Sequence, residues 1–189
     1  MSALGRTITL EFCKLCGWAH NVWVIHRTFE DNLDAEVVKR LKCPYVVSDL
    51  SIITLEYCLL QIAKLHDNAV QNGNKNLTIS YVLEFGGWDE KTRSELCMLA
   101  SKLEKLRQKI KPARNKILSH NDLETILNDT LHGKFCKDAD IEYFNTLQEF
   151  VNVIHDKEFG GPYPLENSMA KNDALILVDV LMGKLNPLF

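Results

Sequence analysis

The sequence predicts an all-α protein, a helical bundle of about five main helices with short helical segments between them, and three observations predict it. Apolar residues recur at three- and four-residue spacing along most of the chain, which is the period of one helical face. Asp, Asn, Ser, Gly and Pro punctuate those stretches at positions where helices start and stop. No segment alternates apolar and polar residues over a length that would make a convincing strand.

The first helix is expected over Leu10 to Phe29, where Phe12, Cys16, Val22, Ile25 and Phe29 share a face. Asp31 to Asp34 interrupts it before a short continuation to Lys42, and Pro44 restricts Cys43 away from helical dihedrals. Tyr45 to Asp67 is the most apolar stretch. Val47, Leu50, Ile53, Leu55, Leu59, Ile62 and Leu65 occupy nearly all its sides, so a central, enclosed helix is expected there. Polar Asn68 to Asn76 reads as a loop, and Thr78 to Phe85 as a short helix or turn closed by Gly86-Gly87. Asp89 is placed to cap a long helix that Pro112 should end at Ile110. A short segment, Ala113 to His120, and a helix over Leu123 to Leu131 capped by Asn121 or Asp122 are expected next. Asp138 or Asp140 should then cap a helix reaching Lys157, with Ile141, Phe144, Leu147, Phe150, Val151 and Ile154 on one side. The run from Gly160 to Pro164 breaks the chain. Asn167 or Ser168 opens a last helix with Leu175, Val178, Leu181 and Met182 as its apolar stripe, ending at Gly183.

A chain of 189 residues with 46% hydrophobic content suffices for one core, so residues 1–189 are expected to form a single domain with an additional C-terminal helix over 165–185. The net charge of −3 argues against a protein that coats nucleic acid indiscriminately, and any such contact must be local. Ile52 to Leu65 and Ala174 to Met182 fall short of the roughly 20 apolar residues that a membrane-spanning helix needs. The start of the chain lacks the apolar run and cleavage site of a signal peptide. A cytoplasmic protein with no membrane partner is expected. Its six cysteines, scattered through helical patterns, are expected as free and buried thiols.

One segment carries a chemical signal. Lys111-Pro112-Ala113-Arg114-Asn115-Lys116-Ile117-Leu118-Ser119-His120 sets a fixed cation, an amide and an imidazole within seven residues. Arg offers a planar fork of donors matching phosphate oxygens and stabilises charge that grows there. His titrates near neutrality, so it can take a proton from a ribose 2′-hydroxyl or give one to a departing 5′-oxygen. No metal or cofactor is called for. Seven basic side chains between positions 101 and 116, among them Lys109, Lys111 and Lys116, face the single acid Glu104. They form either an RNA-attracting strip or a solvated helix face. Cys13, Cys16 and His20 fall at i, i+3 and i+7, a spacing shared by metal ligands and core stripes, and without a fourth ligand packing is the expected role. Trp18, Trp23 and Trp88 are expected in the core or at an interface.

Here the chain resembles the HEPN superfamily, whose mark is Arg, a polar residue, four to six further residues and His; Arg114, Asn115 and His120 fit with four between. It is similar in particular to the abortive-infection U-type branch. The apolar second helix ends in Leu65-His66-Asp67, a polar loop leads to Leu77-Thr78, and the Arg-polar-Lys segment ends in Ser-His followed by Asp122. The resemblance covers about residues 10 to 157 and implies metal-independent RNA cleavage that leaves a cyclic phosphate. Arg114, His120 and Asn115 would then be catalytic, with Asp67 holding Arg114 or serving only a helix end. It also implies a homodimer with a composite site, and a role in phage defence or a toxin-like stress response with a protein antitoxin as a further partner. In one straight helix residues six apart are rotated by about 240°, so either the segment bends or two subunits share the site. The alternative is a catalytically silent helical module that dimerises and binds nucleotide, RNA or a protein.

Overall fold

The computed structural model describes residues 4–118, 138–165 and 168–184, with the backbone alone for 110–118 and 168. Helix α1 spans Gly5–Asn32 and buries Phe12, Cys13, Cys16, Ala19 and His20, spaced so that one face enters the core. The Asp34 carboxylate accepts the backbone N–H groups of Glu36 and Val37 at 2.9 and 2.8 Å and so starts the short α2, Ala35–Arg40. Pro44 supplies a preset φ at the start of α3, Pro44–Leu65.

The expectation that α3 is enclosed on all sides is overturned. Val47, Cys58, Leu59, Ile62 and Leu65 are buried, whereas Tyr45, Val46, Leu50, Ile52, Ile53 and Tyr57 are exposed. The helix has its neighbours α1, α2 and α5 on one side, and apolar composition alone does not say what covers the other side. The run weighed as a membrane span, Ile52 to Leu65, was drawn too short, because the apolar helix begins at Pro44. At 22 residues, α3 is long and apolar enough to cross a bilayer by those two measures.

Within the expected loop Asn68 to Asn76, two-residue strands β1, Val70–Gln71, and β2, Asn74–Lys75, pair antiparallel, which corrects the strand-free expectation. Asn72 at φ 51° and Gly73 at φ 80° form the turn, since a two-residue hairpin asks for positive φ at both central positions. The Thr78 hydroxyl accepts the Tyr81 N–H and opens α4, Ile79–Phe85. The Trp88 indole then folds across Gly86 and donates to the Val82 carbonyl at 2.8 Å. A Cβ on Gly86 would overlap the ring, so only glycine fits.

Asp89 caps α5, Glu90–Leu118, accepting the Thr92 N–H at 2.9 Å. Pro112 does not end it. The helix runs on for six more residues, because proline's fixed φ is itself helical and the cost is one lost hydrogen bond plus crowding. The separate segment expected from Ala113 is therefore the end of α5. The expected helix over Leu123 to Leu131 lies outside the described residues.

Helix α6, Ala139–Phe159, presents Phe144, Leu147, Phe150, Val151 and Ile154 to the core. Neither expected cap is used. Asp138 lies at φ 62° and makes no capping bond, and Asp140 is buried as an acceptor for the Trp23 indole at 2.7 Å. The last helix, α7, spans Ser168–Leu181 and packs on α1. Ala174 and Val178 form its buried stripe and Leu175 is exposed, a correction that follows from α7 resting on the surface of α1. Bonds from Gly183 to Val180 and from Lys184 to Asp179 close it.

Pairwise contacts fix the helix directions. Arg6 donates to the Glu158 carbonyl at one end of α1 and Trp23 to Asp140 toward the other, so α1 and α6 are antiparallel. Lys157 with Asp89 and Lys102 with Glu142 make α5 and α6 antiparallel likewise. Trp18 with Tyr57 and His26 with Thr54 set α3 against α1. Helices α1 and α5 thus run one way, α3 and α6 the other. The C-terminal turns of α5 point toward the end of the bundle where α3 and α6 begin.

Candidate active site

Helix α5 is a carrier of two chemistries. Its Leu96, Leu99, Leu103 and Leu106 form a buried stripe against α6 and α3. At 100° per residue, Lys102, Lys105, Lys109 and Lys116 fall to one side of that stripe, whereas Arg107, Lys111 and Arg114 fall along its other flank. The seven-member basic strip is therefore two stripes. Lys102 lies 3.7 Å from Glu142, and Lys105 and Lys109 are exposed. Lys111, Arg114, Asn115 and Lys116 stand on the last turns of α5, where the backbone is helical, and His120 lies outside the described residues.

The flank stripe is anchored by a polar cluster that no motif announces. Arg107 holds Glu104 through two bonds, Nε to Oε2 at 2.7 Å and Nη2 to Oε1 at 2.6 Å. Glu104 Oε2 lies 3.3 Å from His66 Nδ1, and His66 Nε2 lies 3.0 Å from the buried Tyr143 hydroxyl. The hydrogen bonds from Arg107 hold Glu104 down at about 2, while burial pushes His66 down to about 4. At neutral pH the imidazole is therefore uncharged, and its contact with Glu104 is a hydrogen bond and not an ion pair. One tautomer satisfies every partner: Nδ1–H donates to Glu104 and Nε2 accepts from Tyr143.

Asp67 is exposed in the turn after α3, and its negative charge acts on Arg107. Arg107 stands seven positions before Arg114. Seven residues bring the helix round to within about 20°, so Arg107 and Arg114 share a register about 10 Å apart along α5. Within the sequence only the Glu104–Arg107 pair at i, i+3 was visible. His66 and Tyr143 come from elements 77 residues apart.

The cysteine and tryptophan expectations resolve by burial. Cys13, Cys16 and His20 lie in the core, His20 against the rings of Trp23 and Phe144. Burial pushes the Cys13 thiol up to about 12 and holds Cys16 well above the ordinary thiol range, so neither offers the thiolate that zinc binds. Among the described residues no three His, Cys, Asp or Glu side chains cluster as metal ligands. Cys58 is buried too, whereas Cys43 and Cys97 are exposed, against expectation, because they sit at the mouth of α3 and on the outer face of α5. Cys136 lies outside the described residues. Trp23 and Trp88 pack against the core, and Trp18 is exposed.

A family model described as AbiU2, one of the HEPN group, matches residues 1–168. No curated protein and no solved structure matches the chain.

Proposed function

The chain belongs to the AbiU2 family of HEPN proteins, and on that premise we propose that it is a metal-independent endoribonuclease. The observation that carries the proposal is Arg114-Asn115 followed after four residues by His120, at the end of the longest helix and inside the matched segment. In the reaction the ribose 2′-oxygen attacks the adjacent phosphorus as His120 of one copy accepts its proton. The bond from phosphorus to the 5′-oxygen breaks, and the leaving oxygen takes a proton from the second imidazole or from water. The products are a 2′,3′-cyclic phosphate and a 5′-hydroxyl. Arg114 holds the non-bridging oxygens as their charge grows, and Asn115 orients Arg114 or the phosphate. Lys109, Lys111 and Lys116 draw in the RNA backbone locally despite the acidic total, with salt-sensitive affinity.

The uninterrupted course of α5 supports a composite site. Were the helix to continue straight to position 120, the 240° rotation across six residues would keep 114 and 120 off one face, and a homodimer would supply two sets around one cleft. The family's abortive-infection name suits a cytoplasmic RNase held by a protein antitoxin until infection or stress releases it. The test is purified protein on mixed RNA in chelator. Arg114→Ala and His120→Ala are each expected to slow cleavage by about 10²- to 10⁴-fold. Equal cleavage by wild type and both variants would remove the assignment.

A further inference from the structure

Arg107 is gripped on one edge and open on the other. Its Nε–H donates to Glu104 Oε2 at 2.7 Å and one Nη2–H to Glu104 Oε1 at 2.6 Å, which occupies the side-on edge of the guanidinium. Both Nη1–H groups and the second Nη2–H are left over, and among the described residues no acceptor takes them. The side chain is 24% exposed, and none of its nitrogens is among the buried atoms that lack a partner, so the unfilled donors meet water. The carboxylate that grips Arg107 is itself fixed. Glu104 also accepts from Gln108 Nε2 and lies 3.3 Å from His66 Nδ1, and His66 Nε2 accepts from the buried Tyr143 hydroxyl at 3.0 Å. Side chains from α5, α6 and the end of α3 thus set the plane of one surface cation before anything binds. An ordinary surface arginine loses side-chain entropy when it takes a ligand, and this one has lost most of it on folding.

The open edge, an Nη1–H beside an Nη2–H, is a fork that matches two oxygens of a phosphate or a carboxylate. The surroundings favour phosphates in a row. Arg107 shares its register with Arg114 about 10 Å further along α5, and Lys111 falls between them on the same flank. Those three cations outweigh Glu104 and the exposed Asp67, and they are laid out in a line, as the charges of a nucleic-acid strand are.

We infer that Arg107 holds a phosphate of the RNA strand other than the scissile one, taking its non-bridging oxygens on the open edge while Glu104 keeps the other. The inference deepens the RNA reading of α5 and rests on it. Asp67, whose charge acts on Arg107, repels the same phosphate and limits the affinity.

The test is fluorescence anisotropy of the full chain with a labelled 2′-O-methyl oligoribonucleotide of mixed sequence, which lacks the attacking hydroxyl and stays whole, over a series of sodium chloride concentrations. Arg107→Ala is expected to weaken binding about 10-fold and to reduce the slope of log affinity against log salt by about 0.7, the counterion release of one phosphate on a single strand. Glu104→Gln disturbs the same cluster but keeps the cation, so its slope should stay that of wild type, with circular dichroism as the check on folding in both. Asp67→Asn, on an exposed side chain, should tighten binding by up to about fivefold. An unchanged slope in Arg107→Ala, an equal loss of slope in Glu104→Gln, or a wild type that binds no RNA overturns the subsite. If Arg107→Ala does not fold, Asp67→Asn decides, and an unchanged affinity overturns it. The expected change of slope in a protein that cleaves no ordinary RNA leaves the subsite standing and removes only the nuclease reading; cleavage by wild type with a slope indifferent to Arg107→Ala does the reverse.

Discussion

His66 is the residue whose behaviour the fold most clearly dictates. Burial holds it near 4, against 6.5 for a free imidazole, so between those pH values the unfolded chain binds a proton that the folded chain refuses. Stability is full above 6.5 and falls as the pH drops, by about 3 kcal/mol across the window for a group this enclosed. Glu104, held low by Arg107, adds a further loss below its ordinary 4.5 as it is protonated on the way to about 2. Urea midpoints measured from pH 7 to pH 4.5 should therefore decline, and His66→Gln should flatten that decline; an unchanged slope would mean the imidazole is not the group responsible. Nothing in the sequence marked this cluster, because its parts converge only through packing. Arg114, Asn115 and His120 were legible, since their spacing is a local property.

Helices were legible where local chemistry and packing agree. Asp34, Thr78 and Asp89 are side-chain caps at element starts, the last of them read from the sequence. Asp89→Ala should lower the thermal midpoint without loss of fold, since the first turn of α5 loses the acceptor of its Thr92 N–H. Gly86→Ala should cost about 1–3 kcal/mol, since the new methyl group displaces the Trp88 indole from its bond to Val82; an unshifted midpoint would show that the indole is not fixed there. Pro112 was misread because a proline is a strong local stop that tertiary structure overrode. It leaves the Gln108 carbonyl without its helical donor, so Pro112→Ala should raise stability by up to about 3 kcal/mol. The outward face of α3 was illegible for a different reason. Periodicity reports which residues avoid water, not whether the cover comes from the same chain or another.

At the scale of the molecule, the bundle works as a frame that aims one helix end. Antiparallel α6 and α3 fix the direction of α5, the His66 cluster pins its middle, and its last turns carry the cationic end of the motif. The all-α class was readable because apolar residues recur at helical spacing in every long helix. How two copies would meet was not, because that depends on surfaces set by the packing. A shared site gives the most direct test of the account, which is to mix the inactive Arg114→Ala and His120→Ala proteins and assay RNA for new 2′,3′-cyclic phosphate ends. A site built from Arg114 of one copy and His120 of the other should return about a quarter of wild-type cleavage, since half the dimers are mixed and each holds one intact site. A mixture as silent as either protein alone, beside an active wild type, would contradict it.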